Sequence, residues 1–88
     1  MALIAPRVIA RASSSVASEL AVMSWEWVMR ADGQVFYRLS KVDGRWERNP
    51  WSLVTQLTAA EVQPLRGDKS KARSVLDDLA RQHGHKLG

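Results

Sequence analysis

Two Asp-Gly pairs divide residues 24–48 into three short segments that are rich in aromatic and β-branched side chains. The pairs are Asp32-Gly33 and Asp43-Gly44. Asp and Gly both tolerate the positive φ angles of tight hairpin turns, so this dipeptide is a strong hairpin signal. We therefore predict a three-stranded antiparallel meander with strands at residues 24–30, 35–41 and 45–48.

Loop length decides which side chains of this meander share a face, because a one-residue slip turns every side chain to the other side. A three-residue first loop, with Gly33 left-handed, places Trp27 opposite Tyr37. It also collects the largest apolar side chains on one face, which we expect to form the core. The members of this face are Trp25, Trp27, Met29, Val35, Tyr37 and Leu39.

The opposite face of the predicted sheet is mixed in character, with Glu26, Val28, Arg30, Phe36, Arg38 and Ser40. The position of Trp46 depends on the second loop. A two-residue loop pairs Trp46 with Lys41 and puts it on the core side. A three-residue loop pairs it with Ser40 and puts it on the outer side.

Helical signals dominate the chain from Asn49 onward. Asn49-Pro50 is a good helix start, and a short helix through Leu57 would bury Trp51. Thr58 and Glu61 form a capping-box pattern that predicts a second short turn. A final helix is predicted over residues 69–83, capped by Asp68, with Asp77 and Arg81 as an exposed ion pair and one apolar stripe. The stripe contains Ala72, Val75, Leu76, Leu79 and Ala80.

The first 22 residues differ from the rest, being rich in Ala, Val, Ile and Ser with a single acidic residue, Glu19. This composition predicts an N-terminal extension, either a flexible arm or a mitochondrial or plastid targeting segment. Residues 23–88 then form a single β-β-β-α domain. The predicted fold class is α+β, a three-stranded antiparallel β-meander packed against a C-terminal α-helix, with one or two short helices between.

Size and composition bound the function. The 88 residues contain no cysteine, and the formal net charge of +4 favours an acidic partner such as nucleic acid. His83 and His85, the only histidines, lie near the C-terminus without a third ligand, so we expect exposure rather than a metal site. We expect a non-enzymatic protein without a cofactor or membrane insertion. The expected location is cytoplasmic, or an organelle if residues 1–22 are a transit peptide.

One resemblance is carried by residues 25–50, WEWVMRADGQVFYRLSKVDGRWERNP. They resemble a WW domain at its opening Trp, its Gly-x-x-aromatic-aromatic strand and its closing Trp and Pro. The matching positions are Trp25, Gly33, Phe36, Tyr37, Trp46 and Pro50. The family folds as a three-stranded sheet and binds proline-rich peptides between two aromatic side chains. The resemblance implies peptide-binding roles for Phe36 and Trp46.

A sheet backed by one helix also resembles, in architecture, the arm-type DNA-binding domains of phage and transposon integrases. That resemblance implies DNA binding by the outer sheet face, where arginine forks suit guanine edges and phosphates. Basic residues at the start of the final helix would add phosphate contacts. The candidate nucleic-acid-binding residues are Arg30, Phe36, Arg38, Arg45, Arg48, Lys69, Lys71 and Arg73.

A third interpretation is a small subunit of a larger assembly, since Trp and Arg are enriched at interface hot spots. Of the three, we favour a small accessory protein that binds nucleic acid. A protein-interaction module, WW-like or a subunit, is the alternative.

Overall fold

The computed structural model describes residues 6–87, which form one antiparallel sheet covered on one face by a helix. The strands follow the order β4-β3-β2-β1-β6, and β5 pairs with β3 on the same edge as β4. The elements are β1 (Val8–Ala17), β2 (Val22–Arg30), β3 (Gln34–Val42), β4 (Arg45–Trp46), β5 (Ser52–Gln56), α1 (Ala59–Val62), α2 (Lys69–Gln82) and β6 (Lys86–Leu87). A 3-10 turn, Gln63–Leu65, joins the two helices.

The predicted hairpin between β2 and β3 is confirmed. The turn spans residues 31–33, Gly33 has a φ of 88°, and Trp27 pairs with Tyr37 as the three-residue loop requires. Trp27, Met29 and Val35 are fully buried. The core face of the meander is therefore the one that the alternation of apolar residues indicated.

The second hairpin has the loop and pairing of the two-residue alternative, but Trp46 lies on the outer side rather than the predicted core side. Its loop has two residues, Asp43 and Gly44, both at positive φ, and Trp46 pairs with Lys41. Trp25 pairs with Leu39 but Ser24 pairs with Lys41, so Ser40 is an extra residue, a β-bulge. The bulge turns Lys41, and Trp46 with it, to the outer side of the sheet. Trp46 is 71% exposed.

The N-terminal part of the chain differs from the predicted extension. Residues 8–17 form β1, which lies between β2 and β6 in the sheet. Ile9, Ala10 and Ala12 are buried in the core, and the small side chains of the two alanines allow α2 to pack close to β1. These residues belong to the domain, whereas residues 1–5 lie outside the described part of the chain.

The helix predicted from Asn49 through Leu57 is wrong. Residues 52–56 form β5, which pairs with the first half of β3. The spacing of apolar residues fits a helix, but Val54 and Thr55 are β-branched and β3 offers an unpaired edge. Asn49 uses its side-chain amide to donate to the Leu39 carbonyl rather than to cap a helix.

The C-terminal helix lies close to its prediction. Asp68 caps α2 by accepting from the Lys71 amide, and Ala72, Leu76 and Ala80 are fully buried against the sheet. The capping box at Thr58 and Glu61 begins α1 as expected. Arg81 pairs with Asp78 at 3.4 Å, one position away from the predicted partner Asp77. The α+β class is confirmed, and no helix among residues 6–87 is long and apolar enough to cross a membrane.

Candidate functional site

The face of the sheet turned away from α2 carries the rings of Phe36, Trp46 and Trp51 together with several basic side chains. We call this surface the outer face. Alternation along the strands and the pairing register assign its members. They are Val8, Arg11, Ser13 and Ser15 from β1; Ser24, Glu26, Val28 and Arg30 from β2; Phe36, Arg38 and Lys41 from β3; Trp46 from β4; and Leu53 from β5 with Trp51 just before it.

Three cations on this face lie over three aromatic rings. The Arg38 guanidinium is 4.3 Å from the centre of the Trp51 ring, and the Lys41 ammonium is 4.2 Å from that of Trp46. Arg30 lies 5.5 Å from the Phe36 ring. Each contact contributes about 0.5–1 kcal/mol at an exposed site. The outer face therefore presents a row of ring–cation pairs rather than isolated charges.

A shallow apolar depression holds two of these rings in place. Val28, Phe36 and Trp51 line it together with Val8, Arg11 and Arg30. Val28 is 6% exposed although it points away from the core, because these neighbours cover it. Phe36 and Trp51 thus combine a packing role with a partly exposed ring surface, whereas most of the Trp46 side chain is exposed to solvent.

Acidic side chains only partly neutralise this surface. Glu26 lies 3.6 Å from Arg38, and Asp32 accepts from Arg30 at 2.9 Å. The Arg30 Nε–H is buried and has no hydrogen-bond partner among the described residues. Arg11 forms no ion pair within residues 6–87. The outer face therefore keeps a basic excess, and the exposed guanidinium of Arg11 is the donor available to an anion.

The basic start of α2 reaches the outer face only in part. Arg73 extends beside the edge of β1, where it and Lys69 line a depression with Arg11. Lys71 lies on the opposite side of α2 from the buried Ala72 and Leu76, since residues are spaced by 100° around the helix. Of the three basic residues predicted here, Arg73 and Lys69 adjoin the outer face and Lys71 does not.

Two predicted residues remain, Arg45 in β4 and Arg48 just after it. Arg45 pairs with Val42 and so projects to the side opposite Trp46. Arg48 lines a surface depression with Trp46, Arg38 and Glu26. Glu47 lies at the same depression and lowers its positive charge.

The two aromatics expected to form a peptide groove are not neighbours. Phe36 and Lys41, the partner of Trp46, are separated along β3 by about 15 Å. The stacked pair of Arg38 and Trp51 lies between them. The structure thus brings both Phe36 and Trp46 to the outer face but places them in separate depressions.

The histidines lie at the other side of the sheet. The Trp27 indole donates to the Ser14 hydroxyl at 2.7 Å, and that hydroxyl is 2.8 Å from His85 Nδ1. His85 also packs on the rings of Trp25 and Trp27. His85 is therefore half-buried and structural, contrary to the expected exposure. No cluster of three or more metal-ligating side chains occurs among residues 6–87.

The surroundings of His85 favour its neutral form. Burial lowers the pKa of the imidazole below its usual value, and a charge on the nearby His83 lowers this pKa further. When Nδ1 is unprotonated, the Ser14 hydroxyl can accept from Trp27 and donate to His85. The hydrogen-bond chain from β2 through β1 to His85 is complete only in that state.

Sequence reasoning missed Arg11, Lys41 and Trp51 as members of the outer face. Arg11 was missed because residues 8–17 were not recognised as a strand, although Ala10 and Ala12 alternate with Arg11 and Ser13 in the sequence. Trp51 was assigned to a helix core. Lys41 changes face because of the bulge at Ser40, for which the sequence contains no signal that we can name.

Comparison of the chain with protein-family models, with curated protein sequences and with solved structures gave no match.

Proposed function

We propose that the protein binds nucleic acid through the outer face of its sheet. The observation that carries the proposal is the row of ring–cation pairs formed by Phe36, Trp51 and Trp46 with Arg30, Arg38 and Lys41. Aromatic rings offer stacking surfaces for bases, and adjacent cations offer contacts to phosphates. This arrangement supports the role of a small accessory binding protein.

Charge supports the same assignment. Basic side chains border the outer face along its length, from Arg11 and Arg73 at the edge of β1 to Arg48 beyond β4. A protein that neutralises phosphates releases counterions, so its affinity falls as salt is added. The formal net charge of +4 acts in the same direction but is small, which makes the local arrangement on this face the stronger argument.

The test compares one arginine-to-alanine and one lysine-to-alanine substitution on opposite sides of the molecule. Arg11→Ala removes an exposed charge from the outer face, and Lys71→Ala removes an exposed charge from the far side of α2. We expect Arg11→Ala to weaken oligonucleotide binding and to reduce the slope of log affinity against log salt by about 1. Arg38→Ala, which also removes the stacking partner of Trp51, should weaken binding further.

Lys71→Ala is the matched control and should leave both affinity and salt slope unchanged. Fluorescence anisotropy of a labelled oligonucleotide at several salt concentrations measures all four proteins. If Arg11→Ala and Arg38→Ala bind as tightly as the unaltered protein, the proposal is wrong and a protein partner for this face becomes the better interpretation.

A further inference from the structure

We infer that the nucleic acid bound by the outer face is single-stranded, with its bases stacked on Trp46 and on the neighbouring rings. This inference rests on the proposed function and adds the class of ligand. It differs from the duplex expected for a three-stranded sheet that enters the major groove.

The width of the sheet argues against a duplex groove. Five strand positions lie side by side, from the β4 and β5 edge to β6. Four spacings of about 4.8 Å make the sheet about 19 Å wide, whereas the major groove is about 12 Å wide and admits a helix or a two-stranded ribbon. The three rings lie on β3 and on the β4 and β5 edge beside it, and β2 and β1 continue the same face for about 10 Å further. A groove about 12 Å wide cannot receive this face as a whole.

The spacing of the ring–cation pairs suits an extended strand of nucleotides. Phe36, Arg38 and Lys41 each belong to one pair, and they follow one another along β3 two and three residues apart. That corresponds to steps of about 7–10 Å along the strand, comparable with the length of one extended nucleotide. A base that stacks on a ring replaces the cation there, and the displaced cation is then free to contact the adjacent phosphate.

Trp46 is the ring best placed to receive the first base. It is 71% exposed, and within residues 6–87 the one cation that lies over its ring is the Lys41 ammonium. Beside it lies a depression of about 520 Å³ whose floor carries the hydroxyls of Ser13, Ser15 and Ser24, with Arg11 and Arg73 at its border. Hydroxyls both donate and accept, so this floor can hydrogen-bond to any base edge or phosphate without selecting a sequence.

The experiment titrates the protein with a mixed-sequence twelve-nucleotide DNA single strand and, separately, with its duplex at the same salt concentration. Quenching of tryptophan fluorescence reports stacking, and anisotropy of a labelled oligonucleotide reports affinity. We expect the single strand to bind at least about tenfold more tightly than the duplex, and Trp46→Ala to lose about fivefold or more of that affinity.

Two further variants separate stacking from general loss of apolar surface. Trp46→Phe keeps a ring and should recover most of the affinity. Leu20→Ala removes a 93% exposed apolar side chain from the turn between β1 and β2, outside the outer face, and should bind like the unaltered protein. Because Trp46 and Leu20 are largely exposed, circular dichroism should show that all three variants fold.

The outcomes separate the inference from the proposed function. A duplex that binds as tightly as the single strand, or more tightly, overturns the single-strand assignment and leaves nucleic-acid binding intact. Undiminished single-strand binding by Trp46→Ala overturns the stacking role of Trp46. Absence of binding to either DNA, at low salt and high protein concentration, overturns both.

Discussion

Gly33 occupies the one turn position in the β2–β3 hairpin where the backbone leaves no room for a side chain. Its φ is 88°, and a Cβ atom built there would lie 2.6 Å from the Leu57 carbonyl oxygen. The Leu57 amide also donates to the Gly33 carbonyl at 2.9 Å. The hairpin turn is thereby joined to the residue after β5, and this close approach is possible because Gly33 has no Cβ atom.

A Gly33→Ala substitution should therefore destabilise the fold by about 3 kcal/mol, from backbone strain together with the clash. Gly44→Ala is the matched control, because Gly44 has a similar φ of 80° but no atom within 4 Å of the added Cβ. It should cost only about 1–2 kcal/mol, the strain alone. Urea denaturation measures both, and equal losses would contradict the close contact at Leu57.

Single residues also show where sequence reasoning ends. The Asp-Gly turns could be predicted because their chemistry is local, and the pairing of Trp27 with Tyr37 followed from one loop length. The face of Trp46 could not be predicted, since it depends on the bulge at Ser40. That bulge is held by the Ser40 hydroxyl, which donates to the Ser24 carbonyl across the sheet at 3.1 Å. Many serines make such contacts without causing a bulge.

At the scale of elements, the edges of the sheet decide which segments become strands. The segment at residues 52–56 has helix-like spacing, and an N-cap signal precedes it at Asn49. It becomes β5 because the first half of β3 needs a partner, and that requirement is invisible in a local window. β1 also depends on a distant part of the chain, because its small buried residues are stabilised in a strand by the packing of α2 across them.

Strand β6 depends on a contact that responds to pH. His85 immediately precedes β6, and its hydrogen bond to Ser14 ties this end of the chain to β1. The pKa of His85 is lowered in the folded protein, first by burial and then by His83. Between that lowered pKa and the ordinary value near 6.5, the unfolded chain binds more protons than the folded one. The contribution of His85 to stability is thus complete above about pH 6.5 and declines as the pH falls through that window.

We therefore expect the free energy of unfolding to decrease between pH 7.5 and pH 5.5, and to decrease less in His85→Gln. Urea denaturation at the two pH values measures the difference. His83→Gln is the control and should keep most of the pH dependence, because burial is the larger cause of the lowered pKa. If His85→Gln retains the full pH dependence, the buried hydrogen-bond chain is not its source.

At the scale of the whole molecule, the two faces of the sheet differ in how far the sequence predicts their residues. The core face was predictable, because the periodicity of apolar residues predicts the burial of Trp27, Met29, Val35 and the α2 stripe. The outer face was predictable only in part, through Arg30, Phe36 and Arg38, which lie in the confirmed hairpin. Its remaining members come from β1, β4 and β5, whose positions depend on long-range pairing.

We propose the outer face as the binding surface of this protein. The most direct test is an amide and indole NMR spectrum of the full chain, recorded alone and with a short DNA oligonucleotide at low and moderate salt. We predict shifts at the indoles of Trp46 and Trp51 and at the amides of Arg11 and Arg38, all of which diminish as salt is added. The amides around Lys71 and the buried Trp27 indole should remain in place. Shifts confined to α2, or none on the outer face, would contradict the assignment.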